Sequence, residues 1–257
     1  YAINAGLNPV NDSLLIEGSA SAYANILAVK EGNENELKIL ALKAALESKQ
    51  VADYISETYN GSVVSVVENP TDGYDASVDY DALKGQTITI AASPTPHAEI
   101  LEVAKEILAA KEITLDIQSF NDYVVPNTVV DDGTVDANYF QHLPYLEEFN
   151  ETRGTHLVSV AGVHIEPMGI YAGRVSSLED LPDGAVIAVP NDATNEGRAL
   201  LLLEAQGLIT LDDSSNLTAT PNNIVDNPKN LEFQELEAAT IPSVLADVDL
   251  AVINSNY

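Results

Sequence analysis

The chain has 257 residues, 46 % of them hydrophobic, which is enough apolar material for one large domain or two smaller lobes with real cores. Forty acidic residues against eleven basic ones give a formal net charge of −29, which argues against nucleic acid as a partner because the phosphate backbone is also negative. Cysteine is absent, so disulfides, zinc–thiolate sites and thiol nucleophiles are excluded.

The acidity is typical of a solvated surface in saline or extracellular surroundings, and a role for it in binding is the alternative. No apolar run approaches the roughly 20 residues that cross a bilayer, and no signal peptide opens the chain. We therefore expect a soluble protein that carries no export signal or lipid anchor in this sequence.

The first 68 residues predict short strands and packing helices. The opening segment, 1–9, resembles the end of a helix that is stopped by Gly6 and Pro9. Asn33 suits the N-cap of a helix which, with a second helical stretch, reaches Gly61. Runs of β-type residues predict strands at 13–17, 24–30 and 62–67.

A polar stretch at residues 69–86 breaks every periodicity and is rich in aspartate, as expected of a solvated linker. After it, strands alternate with helices. The strands are predicted at 87–91, 113–117, 185–189, 231–236 and 250–253, and the helices at 97–111, 194–206 and 241–246. This alternation predicts an α/β fold of two units with a cleft between them, because ligands collect at the carboxyl ends of such strands.

A dense polar cluster, residues 190–198, opens the helix predicted at 194–206. Asp192 and Thr194 suit helix caps, and the N–H groups of a first turn favour an anion. Arg198 lies within reach of that turn, and its five fixed donors suit a carboxylate. The alternative is a capped helix with an ordinary surface arginine, since such caps are common.

Aromatic side chains are grouped with Asn, Gln and His at residues 120–123 and 138–145. Such a group suits a pocket with an apolar body and a few polar handles, although aromatic stripes are more often core. His142 suits a hydrogen-bonded pocket or core residue, because no second His or Cys stands at the spacing of metal ligands. The remaining histidines are scattered in the same way: His97, His156 and His164. The sequence therefore predicts no metal site.

Catalytic motifs are missing from the sequence. It has no Gly-x-Ser-x-Gly elbow, Walker A loop, Gly-x-Gly-x-x-Gly, His-Glu-x-x-His or Cys-x-x-Cys. Among forty carboxylates some pair must come close, so Asp/Glu pairs are uninformative. We expect neither an enzyme nor a cofactor.

The ordered motifs resemble one known family, the NlpA/MetQ-type methionine-binding lipoproteins that serve bacterial ABC importers. The resemblance is carried by Pro96-His97-Ala98-Glu99-Ile100-Leu101, Phe120-Asn121-Asp122-Tyr123, Asp136-Ala137-Asn138-Tyr139-Phe140-Gln141-His142, Glu166-Pro167-Met168-Gly169, residues 190–203 and Ala251-Val252-Ile253-Asn254.

Residues 1–68 resemble the same family, but its carboxyl-terminal part. In the family, the stretch that matches 23–32 normally follows the strand that matches 251–254. The resemblance therefore implies a circular permutation, in which residues 69–86 join the usual ends and new ends open after Asn256. Tyr257 and Tyr1 both fit one family position.

The resemblance implies a two-lobed periplasmic-binding-protein fold. One lobe comprises residues 22–163, and the other comprises 164–257 plus 1–21. Carried over to this chain, the ligand-binding residues form two sets. Arg198 would clamp the ligand carboxylate, Asn254 and Asn195 would hold the amino-acid head group, and the side-chain pocket would be lined by Tyr123, Phe140 and His142. Aromatic faces suit a thioether side chain.

The function implied is capture of methionine or a related amino acid and its presentation to an ABC transporter permease outside the cytoplasm. Relatives in this family are normally lipid-anchored, and this chain lacks the cysteine that would carry the lipid. The alternative function is assembly: an extracellular scaffold, a filament subunit or an engineered permuted sensor module that self-associates through its tyrosine-bearing ends.

Overall fold

The computed structural model describes residues 1–3, 5–17 and 21–255. Its contacts divide the chain into two compact units. Unit 1 comprises Tyr1–Ser19 and Pro167–Tyr257, and unit 2 comprises Ala20–Glu166. Within the described ranges, every helix is too short or too polar to cross a membrane.

The strands of the described residues are, in chain order, β1 (Ser13–Ile16), β2 (Asn25–Lys30), β3 (Val64–Ser65), β4 (Thr87–Ala92), β5 (Thr114–Ser119), β6 (Ala137–His142), β7 (Leu157–Ile165), β8 (Gly169–Ala172), β9 (Val186–Pro190), β10 (Thr210–Leu211), β11 (Ile224–Asp226), β12 (Glu232–Leu236) and β13 (Leu250–Ile253). The α-helices are α1 (Leu37–Leu46), α2 (Lys49–Tyr59), α3 (Tyr80–Leu83), α4 (Glu99–Ala109), α5 (Val125–Asp131), α6 (Leu143–Arg153) and α7 (Ala193–Ala205). 3-10 helices cover Ser21–Tyr23, Pro221–Asn223 and Ala238–Asp247, and a π-helical turn covers Pro94–Ala98.

Unit 1 is built on a five-stranded sheet in the order β1-β8-β13-β9-β12. Strands β12 and β13 run parallel to β9, whereas β8 runs antiparallel to both β13 and β1. The residues of β13 are all buried, and those of β9 are buried after Val186. Such continuous apolar runs are expected of strands that are covered on both faces. Helix α7 follows β9 directly and packs its leucines into the core of this unit.

Unit 2 is built on a six-stranded sheet in the order β3-β7-β2-β6-β4-β5. Strand β2 lies between β7 and β6, and all of its residues except Lys30 are buried. Strand β4 runs parallel to β5 and β6. Helix α4 is amphipathic, and its buried residues recur at the spacing of one helical face: Ile100, Leu101, Ala104, Ile107 and Leu108.

Most of the predicted α/β alternation is confirmed. The strands predicted at 13–17, 24–30, 87–91, 113–117, 185–189, 231–236 and 250–253, and the helices at 97–111 and 194–206, agree with the structure within two residues at each end. The strand predicted at 62–67 is present only as Val64–Ser65. The aromatic-rich region after residue 120 holds elements that the sequence analysis missed: α5, β6, α6, β7 and β8.

Three local predictions were wrong. Asn33 does not cap a helix, because α1 begins at Leu37 with Glu36 in the cap position. Among the described residues, segment 1–9 forms turns and no regular helix, although the Ala5 N–H donates to the Tyr1 carbonyl at 3.0 Å, as in a single helical turn. The stretch 69–86 is not a purely solvated linker, because it contains α3 and buries Val78 and Leu83. Its aspartates serve local structure, as when the Asp79 carboxylate accepts from the Ala82 N–H at 3.2 Å.

Candidate functional site

The amino-terminal turn of α7 is buried, and of the two predicted caps Asp192 is the N-cap while Thr194 lies inside the helix. Asp192 has an extended backbone, and its Oδ1 accepts a hydrogen bond from the Asn195 N–H at 3.1 Å. Gly197 allows close packing here, since a Cβ at this position would lie 2.2 Å from the Leu217 carbonyl oxygen. The turn is thus held tightly while its side chains line one polar cluster.

Arg198 is not a surface arginine. Only 4 % of the residue is exposed, which rules out the alternative of an ordinary solvated side chain. Its Nε lies 3.0 Å from both carboxylate oxygens of Glu17, and its Nη2 also donates to Oε2 of Glu17. The guanidinium predicted to clamp a ligand carboxylate therefore already binds one carboxylate of its own unit, in a bidentate, charge-assisted arrangement.

Glu17 is the residue of this cluster that the sequence analysis missed. It directly follows β1, where its N–H donates to the Met168 carbonyl at 2.8 Å and continues the pairing of β1 with β8. Its Oε2 also accepts from the Met168 N–H at 3.1 Å. A single carboxylate at the end of the apolar run Leu14-Leu15-Ile16 was the available signal, since buried charges are paired.

Asn254 and Asn195 are joined to each other. Asn254 directly follows β13, and its Nδ2 donates to Oδ1 of Asn195 at 2.8 Å. The Nδ2 of Asn195 in turn donates to Oδ1 of Asp192 at 2.9 Å. Within the described part of the chain, the Asn254 Oδ1 atom is buried and accepts no hydrogen bond. An acceptor left in this way costs about 1–3 kcal/mol, so a ligand donor such as an ammonium group would be stabilised there.

Two further carboxyl groups lie on this turn with raised pKa values. Burial raises the pKa of Asp192, against the hydrogen bonds from Asn195 that lower it. Burial, then a hydrogen bond and charge repulsion from Glu235, raise the pKa of Glu196 to about 8. Glu196 therefore holds its proton at neutral pH.

Glu196 makes the stability of the chain depend on pH. The folded state holds its proton up to about pH 8, whereas the unfolded state releases it near the ordinary value of 4.5, so stability falls as pH rises through this window. Glu196→Gln removes this loss. The free energy of unfolding of this variant, relative to that of the unaltered chain, should therefore increase between pH 5 and pH 9. We expect an increase of roughly 1–2 kcal/mol, because Glu235 is exposed and solvent weakens its repulsion of Glu196. Urea unfolding of both chains at pH 5 and pH 9 measures this increase. An equal difference in stability between the two chains at both pH values would contradict the prediction.

The predicted aromatic residues cluster within unit 2. Phe140 is fully buried and packs with Tyr145 and Phe149, and Tyr123 packs against them, with its ring centroid 6.1 Å from that of Phe140. The hydroxyl of Tyr145 donates to the Tyr123 carbonyl at 2.8 Å. His142 caps α6, and its Nδ1 accepts from the Tyr145 N–H at 3.2 Å. The cluster thus brings together Tyr123, Phe140 and His142, and it also forms part of the core of unit 2.

The polar residues beside this cluster form a closed amide network. Asn127 donates to Gln141 at 2.9 Å and accepts from it at 2.7 Å. Asn138 donates to Asn127 at 2.9 Å and accepts from Gln141 at 3.0 Å. All three side chains are buried, and Asn127 had not been singled out from the sequence. These amides are structural, because their hydrogen-bonding groups are used within the network.

Two histidines treated as scattered in the sequence are brought together inside unit 2. The rings of His97 and His164 lie 5.0 Å apart, and both face the buried Glu166. His164 Nε2 lies 2.5 Å from Oε1 of Glu166, and His97 Nε2 lies 3.4 Å from the same oxygen. His97 Nε2 also lies 2.8 Å from Oδ1 of Asn25, and the Tyr139 hydroxyl hydrogen-bonds with Nδ1 of His164.

This cluster has the residue types of a zinc site, and its ligand atoms lie within 4.8 Å of one another. Zinc bonds of about 2.0–2.1 Å in a tetrahedron separate neighbouring ligand atoms by about 3.3 Å. The 2.5 Å between His164 and Glu166 is instead the distance of a strong hydrogen bond. Burial and the neighbouring His164 hold the pKa of His97 well below 6.5, so this ring is neutral. We interpret the cluster as a buried hydrogen-bonded chain.

The sequence profile of the NlpA lipoprotein family matches residues 1–67 and 88–257. The chain belongs to this family. Among its relatives, the methionine-binding lipoprotein MetQ of Bacillus subtilis is 45 % identical over 174 residues, which are 66 % of this chain and 64 % of that protein. The match thus spans less than two thirds of that relative's length.

Solved structures of family members agree with this assignment. A nutrient binding protein from Burkholderia cenocepacia, bound to methionine, is 45 % identical with a TM-score of 0.63, and covers 66 % of this chain and 72 % of its own. An ABC transporter periplasmic substrate-binding protein from Coxiella burnetii has the same identity, TM-score and coverage. The predicted family and α/β binding-protein fold are confirmed. These relatives are named for binding and not for catalysis, in agreement with the prediction that the chain is not an enzyme.

Proposed function

We propose that the chain is a solute-binding protein that captures methionine or a closely related amino acid for import by an ABC transporter. The observation that carries the proposal is the polar cluster at the amino terminus of α7. It combines a buried arginine, Arg198, with the buried acceptor Oδ1 of Asn254, which has no partner among the described residues. A carboxylate receptor beside an ammonium receptor is the pair that an α-amino acid requires.

Each predicted residue has a role in this proposal. Arg198 holds the ligand carboxylate, and Asn254 accepts from the ligand ammonium group. Asn195 positions Asn254, since its amide is bonded on one side to Asn254 and on the other to Asp192. For the apolar side chain, the proposal keeps the residues that the family resemblance implies: Tyr123, Phe140 and His142. Aromatic contacts with a thioether contribute about 0.3–1.5 kcal/mol each, and they tolerate other apolar groups.

Calorimetric titration tests the proposal directly. We expect methionine to bind at one site with micromolar affinity or better, which corresponds to a free energy of about 8 kcal/mol. Alanine and glutamate serve as controls, because they share the head group and lack the thioether. If neither methionine nor another natural amino acid released heat or raised the unfolding temperature, the proposal would be wrong.

Placement outside the cytoplasm and a permease partner belong to the same proposal. They are supported by the relatives, which include a methionine-binding lipoprotein and a periplasmic substrate-binding protein of an ABC transporter. The assembly alternative finds no support among these relatives. Light scattering at high concentration tests it, and a strictly monomeric chain is the expected result.

We further propose that this stretch of sequence holds the family's two parts in rotated order. The family profile matches on both sides of residues 68–87, close to the linker predicted at 69–86, while the collinear match to MetQ covers only 66 % of the chain. A rotated order has this effect, because a collinear alignment follows only one of the two parts.

The hydrogen bonds of the first residues support the same proposal. The nitrogens of Tyr1 and Ala2 both donate to the Asn254 carbonyl, at 3.0 and 2.9 Å, and the Ile3 nitrogen donates to the Ser255 carbonyl at 3.3 Å. If Tyr1 stood directly after Asn256, these would be the bonds to the third or fourth preceding residue that make up a helical turn. Asn256 and Tyr257 lie outside the described residues.

A reordered chain tests the rotation. Residues 69–256 followed directly by 1–68 keep every described helix and strand intact, so this reordered chain should fold and should bind methionine within about twofold of the original chain. As a control, a chain that is joined at the same place but opened within β9, between Ile187 and Ala188, should fail to fold. A reordered chain that fails to fold while the original folds would contradict the rotation.

A further inference from the structure

We propose that Glu17 is the positioning residue of the binding site: its carboxylate fixes the guanidinium plane of Arg198 in the orientation that receives the ligand carboxylate. This inference rests on the proposed function and adds to it a residue that the sequence motifs did not indicate. It starts from the pairing of two side chains that lie 181 positions apart in the chain.

The contact between Glu17 and Arg198 is well suited to orientation. The Arg198 Nε lies 3.0 Å from each oxygen of Glu17, and Nη2 donates to Oε2, so one whole edge of the guanidinium is held. The exposed fractions of the two side chains are 5 % for Arg198 and 13 % for Glu17. A buried bidentate pair fixes both the position and the plane of the arginine, which a single hydrogen bond would not do.

The Glu17 carboxylate is itself fixed by the sheet of unit 1. Ile16 pairs with Gly169, and the Glu17 N–H continues this ladder by donating to the Met168 carbonyl at 2.8 Å. The Met168 N–H then donates to Oε2 of Glu17 at 3.1 Å. Backbone groups on both sides of the side chain thus determine where the carboxylate lies, and Arg198 takes its orientation from the register of β1 on β8.

The pair also explains how a buried arginine is kept in the site. An isolated buried cation is strongly disfavoured, and Glu17 supplies the compensating charge while no ligand is bound. A guanidinium has a second edge, between Nη1 and Nη2, that can bind another carboxylate in parallel. Glu17 would therefore affect only ligands that carry a carboxylate. A general structural role would affect all ligands, so the two roles can be distinguished.

The test compares methionine with methioninamide, which keeps the ammonium group and the thioether and lacks the carboxylate. Both affinities are measured by calorimetry for the unaltered chain, for Glu17→Gln and for Asp249→Asn. Asp249 is the matched control, because it forms a bidentate pair with Arg174 in the same unit, at 3.2 and 3.1 Å, with the arginine half exposed. Thermal unfolding checks that each variant is folded.

We expect Glu17→Gln to weaken methionine binding about tenfold, as the loss of one charge-assisted hydrogen bond predicts, and to leave methioninamide binding within about twofold. Asp249→Asn should change neither affinity. An equal loss for both ligands in Glu17→Gln would show a merely structural role and would overturn the inference, as would unchanged methionine binding. If the unaltered chain bound no methionine, the proposed function would fail first, so the two failures are distinguishable.

Glu17→Asp provides the second variant if Glu17→Gln does not fold. It keeps the charge and shortens the side chain by one methylene, so the bidentate contact with Arg198 is lost while the pair remains neutral overall. We expect a smaller loss of methionine affinity than in Glu17→Gln, again without loss for methioninamide. Equal weakening of both ligands would overturn the inference here too.

Discussion

Arg198→Ala is expected to reduce methionine affinity at least 100-fold, which corresponds to about 2.7 kcal/mol or more. The reason is that the variant removes the group proposed to hold the ligand carboxylate and leaves the Glu17 carboxylate buried without its bidentate partner. The same change should also lower the free energy of unfolding by about 3–5 kcal/mol. Calorimetric titration measures the first effect, and urea unfolding measures the second.

Two further variants separate binding from folding in this experiment. Arg198→Lys keeps the positive charge beside Glu17 and loses the fixed fork of donors, so it should fold and bind methionine about tenfold more weakly. Arg174→Ala removes the arginine of the half-exposed pair with Asp249 and should alter methionine affinity less than twofold, as is typical of surface ion pairs. Normal methionine binding by a folded Arg198→Ala would show that the ligand carboxylate is held elsewhere.

Glu166→Ala is expected to produce the largest loss of stability within unit 2, about 3–5 kcal/mol. The carboxylate is 3 % exposed, and it lies 2.5 Å from Nε2 of His164 and 3.4 Å from Nε2 of His97. Truncation leaves the buried Nε2 of His164 without this acceptor, while Nε2 of His97 keeps Oδ1 of Asn25, and it opens a cavity in a polar part of the core. The midpoint of urea unfolding at pH 7 measures the loss.

The matched variants test whether hydrogen bonding is the cause. Glu166→Gln retains an acceptor oxygen and most of the volume, so its loss should be smaller, about 1–2 kcal/mol. Glu106→Ala removes a carboxylate from an exposed position of α4 and should change stability by less than 0.5 kcal/mol. If Glu166→Ala cost no more than Glu106→Ala, the buried hydrogen-bonded chain would not contribute to folding as we infer.

The sequence was most informative where structure is set by neighbours in the chain. The apolar runs of β9 and β13 and the periodicity of α4 and α7 predicted those elements, because burial on a strand or a helix leaves a local pattern. Asp192 was recognised as a cap because its partner, the N–H of Asn195, is three residues away. The elements after residue 120 were not predicted, because their polar and aromatic residues form strands without a simple alternation of apolar and polar positions.

The structure changed the interpretation of single residues more than it changed the fold. The sequence indicated Arg198 as a carboxylate receptor, but it did not indicate that this arginine is buried against Glu17. The histidines His97 and His164 looked unrelated, because 66 residues separate them in the sequence, and yet their rings are neighbours. Phe140 lies in a core cluster, and its role in a ligand pocket stays a prediction.

By itself, the sequence determined the α/β class and the helix that carries Arg198, and it carried the resemblance to the family and the rotated order that we propose. The class and the helix follow from composition and periodicity, and the resemblance rests on ordered motifs, all of which can be read along the chain. Only the tertiary structure decided that Glu17 holds Arg198 and that Asn195 holds Asn254, pairs that are 181 and 59 positions apart. Such contacts leave no local pattern, because they exist only after the strands β1, β8 and β13 have assembled and fixed where each side chain lies.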